Sequence, residues 1–277
     1  MRGWWQDLTD LVLPAECSGC GRPRTVLCEQ CRAALNGAAP SRVRPLPEPP
    51  GLPVVHAAAP YADEVRATLL AHKERGALAL ARPLGAALAR AVRAGAGRRD
   101  VPLLLVPVPS ARWAVRARGH DPVRRIALAA AGELRRGGRR ARVVGVLRQR
   151  RAVADQSGLS SRQRLGNVAG ALEVTAGGVR LLAWGHLVLV DDLMTTGASL
   201  AEAARAVREA VGEAGGRRVV YGRAGREGRE ERIGGSTEES RNAGNGGAGM
   251  ASGKDAGRLI RAAVVAAPPD SFEMSRN

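Results

Sequence analysis

The chain has 277 residues, 45% of them hydrophobic, enough for one medium domain with additions. Aromatics are only 3%, so a core must be built mostly from Ala, Leu and Val, and a formal charge of +17 invites a polyanionic partner. The lysines are Lys73 and Lys254 and the other basic side chains are Arg, a pattern that fits biased base composition as well as it fits selection for nucleic acid, so charge alone implies only non-specific affinity for phosphate backbones.

No apolar stretch approaches the roughly 18 residues of a membrane span. The N-terminus lacks a signal peptide's basic start and long apolar centre, which points to a cytoplasmic protein. Residues 4–13 read as a short amphipathic helix stopped by Pro14, with Trp4, Leu8, Leu11 and Val12 on one face. That face suits packing on its own domain, with contact to a membrane surface as the alternative.

Cys17-x-x-Cys20 and Cys28-x-x-Cys31 follow. Two such knuckles can set four thiolates tetrahedrally around Zn²⁺, and four thiolates leave no open position, so the metal would be structural. Two disulfides or redox-active pairs are the alternatives; a reducing compartment disfavours the first, and no thioredoxin-like pattern surrounds the pairs.

Asn36 to Leu52 is Pro-rich and reads as an extended linker, placed at 41–53 between an N-terminal module (1–40) and the main domain. Val54 to Ala59 is predicted as a strand and Ala62 to Leu70 as a helix ending near His72-Lys73-Glu74. Lys73 suits a phosphate in a chain that otherwise uses Arg, and equally suits a helix C-terminus; His72 reads as an ordinary boundary histidine. Leu78 to Ala94 is predicted helical and Val101 to Val108 a strand. A basic loop over 110–122 carries Arg112, Arg116, Arg118 and His120, with guanidinium forks that match phosphate oxygens, or it is simply a solvated loop.

Ile126 to Leu134 is predicted helical and Val143 to Leu147 a strand. A long polar segment from Arg148 includes Gln156, Leu159, Ser160, Arg162, Arg164, Asn167 and Val168. Then Leu187 to Val190 forms an apolar strand ending in Asp191 and Asp192, followed by Thr195-Thr196-Gly197-Ala198-Ser199 and an amphipathic helix. Leu200, Ala203, Ala204, Val207 and Val211 recur at helical spacing, with Glu202, Arg205, Arg208 and Glu209 on the other face.

In open α/β sheets, ligands bind where such loops leave the strand ends. Unpaired N–H groups, the positive end of the helix dipole and the hydroxyls make a phosphate cradle. Two carboxylates suit sugar hydroxyls and a hydrated Mg²⁺. Together they describe a ribose-5-phosphate site; a buried strand with a capped helix is the plainer reading. Residues 215–257 are low in hydrophobicity and read as a disordered insertion in a domain that spans 54–214, with Val219 to Tyr221 as a stray strand at most. Leu259 to Ala267 is predicted as a final strand within 258–277.

The run Asp191-Asp192-x-x-Thr195-Thr196-Gly197-Ala198-Ser199 resembles the phosphoribosyl diphosphate motif of type I phosphoribosyltransferases. Val106-Pro107-Val108-Pro109, Arg116-x-Arg118-Gly119, the Gln156 to Val168 pattern and the four cysteines resemble the ComF family of competence-associated, phosphoribosyltransferase-like proteins. The resemblance implies a type I phosphoribosyltransferase fold, a parallel-sheet core flanked by helices, with a small N-terminal zinc knuckle. It implies phosphoribosyl diphosphate with Mg²⁺ as ligand, phosphoribosyl transfer to an unidentified nucleophile, and a flexible loop before the diphosphate strand that covers the site. In it Asp191 and Asp192 hold the ribose, Thr195 to Ser199 the 5-phosphate, and basic residues such as Arg118 the diphosphate. It equally implies an alternative, a non-enzymatic factor that handles single-stranded DNA or DNA-uptake proteins. Where many members carry an aromatic residue, Asn and Gln after the Gly, this chain has His120, Asp121 and Pro122.

Overall fold

The strands of the computed structural model follow directly from apolar runs too short for helices. The structure describes residues 16–96, 101–151, 161–224 and 260–272. The predicted helix over 4–13, the positions Gln156, Leu159 and Ser160, and the insertion from 225 onwards lie outside the described residues. Eight strands are described: β1 (Ser41–Val43), β2 (Val54–Pro60), β3 (Leu103–Pro107), β4 (Ala141–Val143), β5 (Leu147–Gln149), β6 (Leu172–Val174), β7 (His186–Leu193) and β8 (Arg261–Ala267). The helices are α1 (Glu29–Asn36), α2 (Asp63–Glu74), α3 (Ala81–Gly95), α4 (Arg112–Arg118), α5 (Pro122–Arg136), α6 (Ser161–Val168), α7 (Gly178–Leu182) and α8 (Ala198–Ala224).

Six strands form one sheet in the order β1-β2-β8-β7-β3-β4. All its pairings are parallel except β1 on β2. The register sets Leu105 beside Val188 and Val190 beside Ala263, so β7 is central. Parallel strands covered on both faces need apolar side chains at every position, which is why β3 is buried throughout. Period-two alternation sorts them: Leu103, Leu105, Val188 and Val190 join the core under α2, α3 and α5. Leu104, Val106, Leu187 and Leu189 join the opposite core with Leu200, Ala203 and Val207 of α8. The scarcity of aromatics is met by close helix contact, since a Cβ on Gly85 of α3 would collide with Ala129 of α5.

Several elements differ from the sequence prediction. Ser41–Val43 of the expected linker is an antiparallel edge strand, and Val43 bridges Phe272 while Arg44 N–H donates to Ser271 C=O at 2.7 Å. The stretch 41–53 is therefore anchored to the sheet at its first residues. The expected basic loop contains α4, ended by Gly119 in the left-handed region (φ 72°). The predicted strand over 143–147 breaks in two: β4 ends the main sheet, whereas β5 pairs with β6 in a separate antiparallel ribbon. The last helix runs through Ala224, past the expected domain end at 214, so Val219 to Tyr221 is helical rather than a strand. Among the described residues, no helix is long and apolar enough to cross a membrane.

Candidate functional site

Two acidic residues end the central strand, and alternation sends them to opposite faces of the sheet. Asp192 continues the face of Val188 and Val190, where the last turn of α2 meets it: Lys73 Nζ lies 2.9 Å from Asp192 Oδ2. Asp192 is buried, and Lys73 is partly buried. Asp192's backbone N–H donates to Asp191 Oδ1 at 2.9 Å. The neighbouring carboxyls are driven apart in acidity. Burial pushes Asp191 well above the usual carboxylate range, and the charge of Asp192 pushes it further. Burial acts on Asp192 in the same direction, but the Lys73 ammonium and its hydrogen bond outweigh it and hold Asp192 low. Asp192 in turn raises Lys73 above its ordinary value.

The loop after β7 leads into α8 through Gly197, whose φ of 74° lies in the left-handed region. A Cβ there would sit 3.1 Å from Leu52 and 3.3 Å from Pro45. The expected linker thus forms a wall behind the phosphate-type loop, which sequence reasoning missed. Thr195 is exposed and Ser199 half-buried, at the positive end of a helix of 27 residues. Arg164 of α6 donates from Nη1 to Thr195 Oγ1 at 3.3 Å, and Val168 packs with Ala198. The polar segment before β7 therefore does abut the candidate loop through its described part.

Arg118 is held in an ion pair. Its Nε and Nη2 each donate to the Glu74 carboxylate at 2.9 Å, a two-pronged pair that ties α4 to the α2 tip beside Lys73. Between them, His72 and His120 are buried, with rings edge to face at 5.7 Å. Asp121 caps α5 by accepting from Arg124 N–H at 3.0 Å, with Pro122 at the first helical position. The tripeptide His120-Asp121-Pro122 thus serves helix termini here. Trp113 of α4 is 56% exposed, flanked by exposed Arg112 and Arg116.

Glu202 was expected on the solvent face of α8 and is instead buried. It accepts from Leu172 N–H at 2.9 Å and from Arg205 Nε at 2.8 Å, while Arg205 Nη2 donates to Leu172 C=O at 3.0 Å. This pair fastens the β5–β6 ribbon to α8, close to where α6 begins its approach to the loop.

The four cysteines converge at the other end of the chain. Their sulfurs all lie within 4.8 Å of one another, Cys20 and Cys28 being 3.6 Å apart, and all four are free thiols. A tetrahedral metal with Zn–S near 2.3 Å needs S···S of about 3.8 Å, so the set suits a structural metal such as zinc and not two disulfides. Burial pushes the Cys17 thiol up, but the N–H groups of Cys28, Cys20 and Gly19 outweigh it and bring it down to about 6, favouring a thiolate. Gly19 is required sterically, since a Cβ would fall 2.6 Å from Cys31 Sγ. Cys17, Cys28, Cys31 and Leu35 share one core with Val65, Leu84 and Leu88, so the knuckle is fused to the α/β domain.

In comparisons with known proteins, no family model matches the chain and no curated protein matches it significantly.

Proposed function

We propose that the carboxyl edge of the sheet binds phosphoribosyl diphosphate with Mg²⁺ on a type I phosphoribosyltransferase fold, and that the protein transfers the phosphoribosyl group to a nucleophile. The observation that carries this reading is the sequence of parts at the end of β7: Asp191 and Asp192, with Lys73 2.9 Å from the second, then Thr195 to Ser199 at the start of a long helix. The carboxylates accept from the ribose hydroxyls, and the loop N–H groups and hydroxyls hold the 5-phosphate. On this reading Lys73 and Arg118 take the charge of the leaving diphosphate. Each carboxylate already has an oxygen engaged by Lys73 or a backbone N–H, which fits a Mg²⁺ that arrives on the diphosphate with its waters better than a cage of protein ligands. When bound, the ion supplies charge neutralisation for the leaving diphosphate. The chain's own residues orient the sugar and exclude water from C1. Zn²⁺ on Cys17, Cys20, Cys28 and Cys31 serves folding alone.

Calorimetric titration of the zinc-loaded protein with phosphoribosyl diphosphate and Mg²⁺ tests this reading, beside an Asp191→Asn/Asp192→Asn double variant. Saturable binding that the variant loses supports it; no binding by the folded wild type ends it.

A second reading, a ComF-like factor that holds single-stranded DNA for uptake, is favoured by Trp113, an exposed ring between Arg112 and Arg116. Ring stacking plus phosphate neutralisation is the chemistry of such binders. Oligonucleotide quenching of fluorescence that Trp113→Ala removes would support it, and a salt slope unchanged in that variant would reduce it to charge alone.

A further inference from the structure

The buried pair His72 and His120 lies beside the residues that carry Lys73 and Arg118. His72 is 1% exposed and His120 8%. All four ring nitrogens face backbone carbonyls: His72 Nδ1 faces Ala77 at 3.3 Å and Nε2 faces Pro122 at 3.4 Å, while His120 Nδ1 faces Arg118 at 3.1 Å and Nε2 faces His72 at 3.2 Å.

Carbonyls only accept, and a neutral imidazole carries one N–H. A neutral pair can therefore satisfy two of the four contacts, and the tautomers decide which. With both protons on Nε2, the two bonds formed are those that cross between the α2 tip and the 118–122 turn. With both on Nδ1, each ring bonds only within its own segment, and the Arg118–Glu74 ion pair is left as the link between them. Protonating both rings would place two charges 5.7 Å apart in a buried site, and burial already holds His72 below its ordinary value.

The carbonyl that His120 binds is itself informative. The last carbonyls of a helix have no partner within it. In α2, Ala71 C=O is taken by the N–H groups of Arg75 and Ala77, and His72 C=O by His120. His120 is thus a side-chain cap on the turn that presents Lys73 to Asp192 and Glu74 to Arg118. Of the charged groups here, Asp192 acts on His72, and Lys73, Glu74 and Asp121 adjoin the two histidines in sequence.

We propose that His72 and His120, in their Nε2–H tautomers, are positioning residues that lock the α2 tip to the 118–122 turn and so set Lys73 against Asp192. The binding consequence rests on the phosphoribosyl diphosphate reading; the positioning itself does not.

Three measurements on the zinc-loaded full chain test it. Nitrogen NMR of the wild type reads the tautomers, with Nε2–H expected for both; an Nδ1–H tautomer at His120 would overturn the proposal. Carbon NMR follows the Asp192 carboxyl, assigned with Asp192→Asn. In His120→Phe, which keeps the ring and loses its nitrogens, its midpoint should rise by about one pH unit as Lys73 drifts. In His120→Gln, whose amide can still reach the His72 carbonyl, the midpoint should stay near wild type; an unmoved midpoint in His120→Phe refutes the positioning role. If His120→Phe does not fold, the tautomers still decide. Finally, His120→Phe should weaken phosphoribosyl diphosphate by about tenfold, an effect absent in a Lys73→Ala/Arg118→Ala background. A loss that persists there means His120 acts some other way. If the wild type binds no phosphoribosyl diphosphate, the functional reading falls, and the carboxyl titration still judges the positioning.

Discussion

Replacing Lys73 with Met keeps the side chain's reach and removes its charge, leaving Asp192 buried beside Asp191 with no ammonium. The pair sits between two regimes, since the Asp192 side chain is 6% exposed and that of Lys73 34%. Exposed ion pairs contribute about 0–1 kcal/mol. Breaking a fully buried pair costs about 3–5 kcal/mol, mostly for the stranded charge. Discounting for solvent at the Lys73 end, Lys73→Met should cost about 2 kcal/mol at pH 7.

The pH dependence carries the sharper test. Asp192 is held low in the fold, so its contribution is present above the unfolded carboxylate value of about 3.9 and is lost as pH falls through the lower folded value. Lys73 is raised, so its contribution is present below about 10.4 and is lost as pH rises through the higher folded value. In the variant, both carboxyls gain from protonation, and the penalty should shrink as pH falls towards 4. Urea unfolding at pH 7 and at about pH 4.5 measures the difference, and Lys73→Met/Asp192→Asn should recover most of it. A penalty equal at the two pH values, or one not recovered by the double variant, would refute the pairing argument.

Cys17→Ser should lower bound zinc and, because the knuckle shares the core of α2 and α3, should lower the thermal midpoint of the α/β domain as well; metal analysis and calorimetry check both. Glu202→Gln should cost about 2 kcal/mol, less than a fully buried pair because Arg205 is 40% exposed. Hydrogen exchange should quicken at the Leu172 amide, and since burial acts against ionisation but Arg205 holds Glu202 low, the wild-type advantage should fade on acidification through that lowered value. Gly197→Ala places a side chain at positive φ and against Leu52, so about 1–2 kcal/mol of strain is expected. Its effect on binding of ribose 5-phosphate should exceed its effect on unfolding.

Elements governed by local pattern were legible in the sequence. The apolar runs of β2, β3, β7 and β8 and the helical spacing of α3, α5 and the first half of α8 lie close to where their periodicity puts them, because burial on one or both faces writes itself into neighbouring positions. Elements defined by distant partners were not. Ser41–Val43 is a strand only because β2 offers an edge, and nothing within its own three residues distinguishes it from a Pro-rich linker. Glu202 looks like an exposed helix acid until the β5–β6 ribbon covers it. Lys73 stood out by composition, but the partner that gives it meaning is more than a hundred residues away in sequence, on β7.

The same distinction explains why the site assembles where it does. In a parallel sheet every strand delivers its following connection to the same edge. The turn after α2, the turn after α4 and the loop after β7 come from three separate stretches, yet the β2, β3 and β7 registers fix how far each reaches. Each stretch alone is an ordinary helix end or turn. What is specific is that one contributes an ammonium, one a carboxylate pair, and one a histidine that caps the helix carrying the ammonium. A carboxylate pair at the edge of an apolar sheet does not readily ionise at both members, and here Asp191 is the one raised. Lys73 lets Asp192 remain an ionised acceptor in a buried position, the state that the proposed contact with a sugar hydroxyl would use, and the proposed helix-capping role of His120 would make that state depend on the fold of the whole edge.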